Sequence, residues 1–404
     1  MPSTVAIFGA LDTKGAEIAF VRDAIRTAGP TTLVVDTGVV GEPAFAADIP
    51  ADEVAAAAGG SLQALRERAD RGEAVDVMAQ GAAAVAARLH AEGRIDGILA
   101  MGGSAGTAVG TAAMRALPVG FPKLMVSTVA SGDTAPYVGI TDVTMMPSVV
   151  DVAGVNIISA RIFTNAAAAI AGMAKATSPH IDARPLVGAT MFGNTTPLVD
   201  RCRATLDGAG YETLVFHATG TGGRTMEALV AQGLIGGVLD VSPTEWADEL
   251  VGGVLTAGPT RMEAAAARGI PQVVIPGCLD MVNFWGRETV PERFADRQLH
   301  VWNPNVTLMR TTPEENAELG RILAEKTNVS PGPVVFILPR GGLSMLDAPG
   351  EEFWWPEADQ ALFEAIRQHT RPETEVIELD GNVNDPEVAD TATEKLLALL
   401  TEVA

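Results

Sequence analysis

Cationic side chains are scarce in this 404-residue sequence. Lysine and arginine together number 28 against 50 aspartates and glutamates, which gives a formal net charge of −22. Binding to nucleic acid needs clustered lysine and arginine to neutralise phosphates, and an acidic surface is repelled by anionic membranes. The composition therefore argues against nucleic-acid and membrane partners.

Cysteine is nearly absent as well. Only Cys202 and Cys278 occur, which excludes a disulfide framework and a cysteine-rich zinc site. No uncharged apolar run reaches the roughly 18 residues of a membrane span, and no signal peptide precedes the first apolar run. We therefore expect a cytoplasmic protein. Hydrophobic residues make up 47% of the chain, and its length favours two domains over one.

Short β-branched apolar runs alternate with longer alanine-rich stretches, a pattern typical of a doubly wound parallel sheet. The predicted strands of the first half are Val5–Phe8, Thr32–Asp36, Gly97–Met101, Lys123–Ser127 and Val143–Met146. The helices predicted between and after them include Gly15–Ala28, Ala74–Glu92, Gly106–Arg115 and Ile157–Ala176. The fold class expected is α/β, with two Rossmann-like doubly wound domains in tandem.

A polar, proline-bracketed segment, Thr177–Pro185, is the expected linker. It separates a nucleotide-binding domain at residues 1–178 from a second α/β domain at residues 185–404. After it the order starts again with a predicted strand at Leu186–Met191, and pieces of the two halves match in type. One such match pairs Val143–Met146 with Val306–Met309. Two related domains explain the matches, and convergent strand composition is the alternative.

The stretch Gly102–Thr107 follows a buried-type apolar run and can begin a helix. Glycines let backbone N–H groups approach an anion, and a helix amino terminus adds the positive end of its dipole. Ser104 and Thr107 can also hydrogen-bond a phosphate. The spacing is not that of a Walker loop. The two interpretations are a phosphate-binding loop and a tight turn without a ligand.

Other predicted strand ends of the first domain carry similar chemistry. Ligands of open parallel sheets lie outside the carboxyl ends of the strands. Asp12 is a candidate magnesium ligand or a helix cap, Lys14 a phosphate contact, and Asp36 a ribose contact or a turn residue. The candidate cofactor-binding residues are Gly9, Asp12, Thr13, Lys14, Asp36, Gly102, Gly103, Ser104, Gly106, Thr107, Ser131, Gly132 and Asp133.

The predicted strand ends of the second domain differ in kind. Gly220–Gly223 is a candidate anion-binding nest, and His217 a candidate general base. Arg310 and Arg340 could clamp a carboxylate or phosphate, or they could belong to an internal ion-pair network. The candidate catalytic residues are His217, Asp240, Glu245, Asp280, Asn283, Arg310 and Arg340.

Several motifs together resemble the Tm-1-like ATP-binding family. They include Asp12–Gly15, Gly102–Thr107, Val129–Asp133, His217–Gly223 and Leu279–Phe284, and the resemblance covers essentially the whole chain. It implies two Rossmann-like domains, ATP with Mg²⁺ in the first, and a homodimer or higher homo-oligomer.

Three functions follow as hypotheses. The first is an ATP- and Mg²⁺-binding enzyme that acts on a small acidic metabolite, in the second domain or the cleft between domains. The second is an ATP-binding regulatory or interaction protein without catalysis. The third is a metabolite hydrolase or lyase in which nucleotide binding is incidental or regulatory.

Overall fold

The computed structural model describes residues 2–177 and 183–403 of the chain. It divides into two compact units, an N-terminal unit at Met1–His180 and a C-terminal unit at Ile181–Ala404. Residues 178–182 of the predicted linker lie outside the described part. Among the described residues, no helix combines the length and apolar character needed to cross a bilayer.

The N-terminal unit is built on one five-stranded parallel sheet with the order β2-β1-β3-β4-β5. Its elements are β1 (Thr4–Gly9), α1 (Leu11–Thr27), β2 (Thr31–Asp36), α2 (Ala51–Ala57), α3 (Leu62–Arg68), α4 (Arg71–Ala91), β3 (Gly97–Gly102), α5 (Ser104–Arg115), β4 (Lys123–Ser127), α6 (Ala135–Val138), β5 (Thr144–Pro147) and α7 (Ile157–Met173). The strand order reverses direction between β1 and β3. A ligand crevice is expected at that switch point.

Both faces of this sheet are buried, because successive side chains of a strand point to opposite sides. In β1, Ala6 and Phe8 join a core with residues of α2, α4 and α5, whereas Val5 and Ile7 join a second core with α1 and α7. Burial on both sides explains why the strands are continuous apolar runs in the sequence.

The C-terminal unit repeats the plan with six parallel strands in the order β14-β13-β9-β8-β6-β7. Its elements are β6 (Leu186–Met191), α8 (Thr196–Gly208), β7 (Glu212–His217), α9 (Thr221–Ala231), β8 (Gly237–Asp240), α10 (Glu245–Val251), α11 (Glu263–Arg268), β9 (Gln272–Val274), β10 (Met281–Phe284), β11 (Leu299–Asn303), β12 (Val306–Arg310), α12 (Pro313–Asn328), β13 (Val334–Pro339), α13 (Pro356–His369), β14 (Glu375–Leu379) and α14 (Pro386–Val403). The predicted α/β class with two doubly wound parallel sheets is therefore confirmed.

One predicted correspondence between the halves is wrong. The segment Val306–Met309 does not continue the parallel sheet, because β12 pairs antiparallel with β10 and β11 in a separate three-stranded sheet. The fifth strand position of the parallel sheet is taken by β13, which pairs with β9. An apolar run of four or five residues shows strand propensity but does not reveal its partner.

Candidate functional site

A cavity of about 520 Å³ opens at the switch point of the N-terminal unit. Residues that follow β1 and β2, together with the start of α5, line its floor, and residues from α3, α4 and the loop joining them close one side. We call it the switch-point cavity. Its lining residues are Ala10, Asp12, Thr13, Thr37, Gly38, Val39, Val40, Leu65, Arg66, Ala69, Asp70, Arg71, Ala74, Val75, Met78, Ala105, Gly106 and Val109.

Asp12 lies on the floor of this cavity with one carboxylate oxygen committed and one free. Its Oδ2 accepts the backbone N–H groups of Val40 at 2.7 Å and Gly41 at 3.0 Å. Its Oδ1 is buried and has no hydrogen-bond partner within the described chain. A Cβ at Gly38 would lie 2.6 Å from the Asp12 Cγ, so only glycine fits there. The described chain therefore supplies no partner for this oxygen.

Asp36 supports the loop instead of facing the cavity. Its Oδ1 accepts the N–H groups of Leu11 and Gly38, each at 2.9 Å, and the side chain is buried. Burial raises the pKa of this carboxyl, and repulsion from Asp12 acts in the same direction. These contacts are those of the turn-residue alternative.

Helix α5 begins at Ser104, two residues earlier than predicted, with Gly103 as its N-cap residue and no side-chain cap. The first N–H groups of a helix have no intrahelical acceptor, so this terminus is available to an anion. Ala105 and Gly106 line the switch-point cavity, and Ser104 lines the adjoining one. Thr107 differs, because its buried hydroxyl donates to the Gly103 carbonyl at 2.8 Å and lies 2.6 Å from the Ser127 hydroxyl.

Arg71 is a charged residue of the cavity that the sequence did not indicate. It begins α4 after the cap residue Asp70, and it lines both the switch-point cavity and an adjoining cavity of about 530 Å³. Within the described residues its guanidinium has no hydrogen-bond or ion-pair partner. Arg71 is exposed to solvent, and its pairing state is visible only in the structure.

Some of the remaining predicted residues of the N-terminal unit line the cavity and others do not. Thr13 lines the switch-point cavity, whereas Gly9 and Lys14 are not among its lining residues. Gly9 packs under Ile18, whose Cδ1 would lie 2.4 Å from an added Cβ. Gly102 ends β3 and packs against Gly106.

The loop Ser131–Asp133 lies at another place on the same sheet edge. Ser131 lines a separate cavity beyond β4 and β5. The Gly132 N–H donates to the Val129 carbonyl at 3.0 Å, and the Asp133 carboxylate accepts the Ala135 N–H at 3.0 Å. These contacts shape a turn, and none of the three residues lines the switch-point cavity.

In the C-terminal unit, a buried guanidinium gathers two of the predicted catalytic carboxylates. Arg261 contacts Asp240 and Glu245 at 2.8 Å and Glu227 at 3.2 Å, and it is 1% exposed. These carboxylates together raise the pKa of Arg261, so it stays charged despite burial. Asp240 and Glu245 thus belong to an internal ion-pair network, and its arginine, Arg261, is not one of the two considered from the sequence.

The predicted anion nest of this unit already holds a carboxylate. The Glu245 Oε1 accepts the N–H groups of Gly220 at 2.6 Å and Gly223 at 3.0 Å. A Cβ at Gly223 would lie 2.0 Å from the Glu245 Oε2. Backbone donors and positive φ at Gly220 do form a nest, but the chain supplies its own anion.

Arg310 is the centre of a second buried network. Its Nη2 lies 2.7 Å from the Asp359 Oδ1 and 3.6 Å from the Asp347 Oδ1, and its Nε donates to the Phe353 carbonyl at 2.8 Å. Burial and mutual repulsion raise the pKa of Asp359 to about 8 and that of Asp280 to about 7. Asp280 accepts the Ser344 hydroxyl at 2.7 Å.

The other predicted residues of this unit lie apart. Asn283 is within β10, where its backbone and side-chain N–H groups donate to the buried Asp248 at 2.8 and 2.6 Å. Arg340 is about half exposed and pairs with Asp380. His217 is exposed at the end of the edge strand β7, with its ring 5.6 Å from that of Phe192. The two arginines therefore do not form one clamp.

These features define a tandem doubly wound α/β protein with an open switch-point cavity in its first unit. Comparison with known sequences then assigns the family. The models of the "Uncharacterised protein family (UPF0261)" N-terminal and C-terminal domains match residues 3–179 and 184–400, respectively. The chain belongs to the UPF0261 family.

Relatives include a UPF0261 protein of Clostridium tetani, which is 50% identical over 99% of this chain and 100% of its own length. A UPF0261 protein of Rhizobium meliloti is 46% identical over 96% of this chain and 97% of its own length. The tomato mosaic virus (ToMV) resistance protein Tm-1(GCR237) of Solanum lycopersicum is 40% identical over 81% of this chain and 45% of its own length. This confirms the resemblance to the Tm-1-like family. A solved structure described as a "putative UDP-N-acetylglucosamine 2-epimerase from Listeria monocytogenes" aligns over 68% of this chain and 79% of its own length, at 13% identity and a TM-score of 0.25.

Proposed function

We propose that the N-terminal unit binds ATP with Mg²⁺ in the switch-point cavity. The observation that carries the proposal is the meeting, in one cavity, of the α5 amino terminus, an unpaired arginine and an apolar wall. The volume of about 520 Å³ lies within the range of small-molecule sites. The identity of the nucleotide rests on the resemblance to the Tm-1-like family.

Each part of the cavity suits one part of a nucleotide. Val39, Leu65, Val75 and Met78 form an apolar wall that can pack against a base. The N–H groups at the start of α5 and the guanidinium of Arg71 suit the phosphates.

The donor set also fits magnesium. Among the described residues no group of three or more His, Cys, Asp or Glu side chains could hold a metal by itself. Mg²⁺ at nucleotide sites needs only one or two carboxylates, with phosphates and water as the other ligands. The free Oδ1 of Asp12 supplies one. When bound, the ion would screen the phosphate charge near this carboxylate.

Arg71→Ala is expected to weaken ATP binding by about ten-fold to one-hundred-fold, because a charge-assisted hydrogen bond to phosphate contributes about 1.5–3 kcal/mol. Isothermal titration calorimetry with MgATP measures the change. The matched control is Arg94→Ala, since Arg94 is exposed, pairs with Glu92 at 3.2 Å and does not line the cavity. Equal affinities of wild type and Arg71→Ala would place the nucleotide elsewhere.

Asp12→Asn is expected to abolish the gain in ATP affinity that Mg²⁺ provides. The amide keeps an acceptor for the N–H groups of Val40 and Gly41 but carries no charge for the ion. Titrations with ATP in EDTA and in excess Mg²⁺ separate the two effects, and binding in EDTA should match or exceed that of wild type. If Mg²⁺ raises the ATP affinity of this variant as much as that of wild type, Asp12 is not a ligand of the ion.

We propose ligand binding for the N-terminal unit alone. The predicted acid–base and clamping residues of the C-terminal unit pair with other side chains of that unit or lie apart. Binding without turnover and binding with turnover are separated by one measurement, the release of ADP from MgATP by the purified wild-type chain. The Arg71→Ala variant is the blank for contaminating ATPases.

A further inference from the structure

A second cavity of the N-terminal unit lies beyond the carboxyl ends of β4 and β5. It measures about 350 Å³, and we call it the β4–β5 cavity. Three hydroxyls, one carboxylate and two valines line it. These residues are Thr128, Ser131, Ser148, Val149, Val150 and Asp151.

Most of the polar groups in this cavity have no partner. Within the described part of the chain, the side chains of Thr128, Ser131 and Asp151 make no hydrogen bond or ion pair. The Ser148 hydroxyl is different, because it donates to the Val150 carbonyl at 2.7 Å. The Ser148 side chain is thus hydrogen-bonded to the backbone, whereas the other three polar side chains remain available for a ligand.

The backbone next to Ser148 adopts an unfavourable conformation. Val149 has φ +63°, a left-handed value that is an outlier for a β-branched residue, and its side chain is 77% exposed. The Ser148 N–H donates to the Ser127 carbonyl at 3.0 Å, which ties this loop to the end of β4. Strained residues of this kind cluster at ligand clamps.

The charge of the lining selects the ligand class. Among the described residues, no cationic side chain lines the cavity, and the carboxylate of Asp151 would repel a phosphate or a carboxylate. Hydroxyl and carboxylate oxygens pair well with hydroxyl groups, and the valines offer contact for C–H faces. We propose that the β4–β5 cavity binds a neutral polyhydroxylated molecule, a sugar or polyol, with Asp151 as its principal anchor.

This site is adjacent to the start of α5 but separate from the switch-point cavity. The Thr128 N–H donates to the Gly102 carbonyl at 3.2 Å, and the Thr128 hydroxyl lies 3.8 Å from the position of a Cβ on Gly103. The two cavities have no lining residue in common. Polyol binding therefore does not rest on the proposed nucleotide function.

The test is ligand-observed NMR and calorimetry of the full chain with four neutral probes, glycerol, D-ribose, D-glucose and myo-inositol, and one anionic probe, inorganic phosphate. Saturable binding of at least one neutral probe is expected. Asp151→Ala should weaken it at least ten-fold, and Ser131→Ala should weaken it less. The control Asp200→Ala removes an exposed carboxylate from the C-terminal unit and should leave the affinity unchanged.

Absence of saturable binding by all four neutral probes would overturn the proposal, as would binding that Asp151→Ala leaves intact. Phosphate binding that depends on Asp151 would overturn the ligand class. MgATP titrations of the same variants separate this result from the nucleotide proposal. Asp151→Ala is expected to retain wild-type affinity for MgATP, whereas Arg71→Ala is expected to retain polyol binding.

Discussion

Arg261→Met is expected to lower the free energy of unfolding of the C-terminal unit by about 3–5 kcal/mol. The guanidinium is 1% exposed and contacts Asp240, Glu245 and Glu227. Methionine fills similar space but leaves these carboxylates without their cation. Because Glu245 also binds the N–H groups of the Gly220–Gly223 turn, loss of the arginine should loosen that turn as well.

Urea unfolding of the full chain measures this effect, and Arg203→Met is the matched control. Arg203 is exposed, and its ion pair is a single contact of 3.6 Å with Asp207, so its replacement should change stability by less than about 1 kcal/mol. Adding Asp240→Asn to Arg261→Met should restore part of the loss, since one unpaired charge is removed. Strictly additive losses in this double-mutant cycle would contradict the network.

Asp359→Asn is expected to make the stability of the C-terminal unit less dependent on pH. Burial and the neighbouring Asp347 raise the pKa of Asp359 to about 8, against about 3.9 in an unfolded chain. Between these values the folded state holds a proton that the unfolded state has released. Stability from this group is therefore complete below about pH 4 and is lost as the pH rises to about 8.

An asparagine at this position cannot ionise, so the variant should gain stability relative to wild type from pH 5 to about pH 8, and the gain should level off toward pH 9. Urea midpoints measured across this range at constant ionic strength test the expectation. Asp200→Asn removes one exposed carboxylate and should follow the wild-type slope. Parallel slopes for wild type and Asp359→Asn would show that the Arg310 cluster does not hold a proton near neutral pH.

The architecture was predictable because buried strands appear in the sequence as runs of apolar residues. Lys123–Ser127 and Leu186–Met191 are strands with the predicted boundaries, since a strand covered on both faces is apolar along most of its length. Helix starts were less accurate, as α5 shows, because a glycine cap gives no side-chain signal. The antiparallel sheet of β10, β11 and β12 was missed, since the pairing partner is a long-range property.

The candidate sites were likewise predictable only in part. The rule that ligands lie at strand carboxyl ends led to Asp12 and Gly106, which do line the switch-point cavity. It could not reveal Arg71, which reaches the cavity from the start of α4. Nor could it show that Thr107 and Asp36 turn to backbone partners, because a strand-end side chain can face either the crevice or its own loop.

The sequence by itself determined the class, the two-unit organisation and the edge of each sheet where polar chemistry gathers, because these follow from local burial and strand direction. Only the tertiary structure decided which polar groups are free. Arg261 and Arg310 form ion pairs with carboxylates of the chain itself. In contrast, the side chains of Arg71 and Asp151 and the Oδ1 of Asp12 have no partner in the described residues. The physical reason is that a charge is paired or free according to its neighbours in space, and those neighbours are distant in sequence.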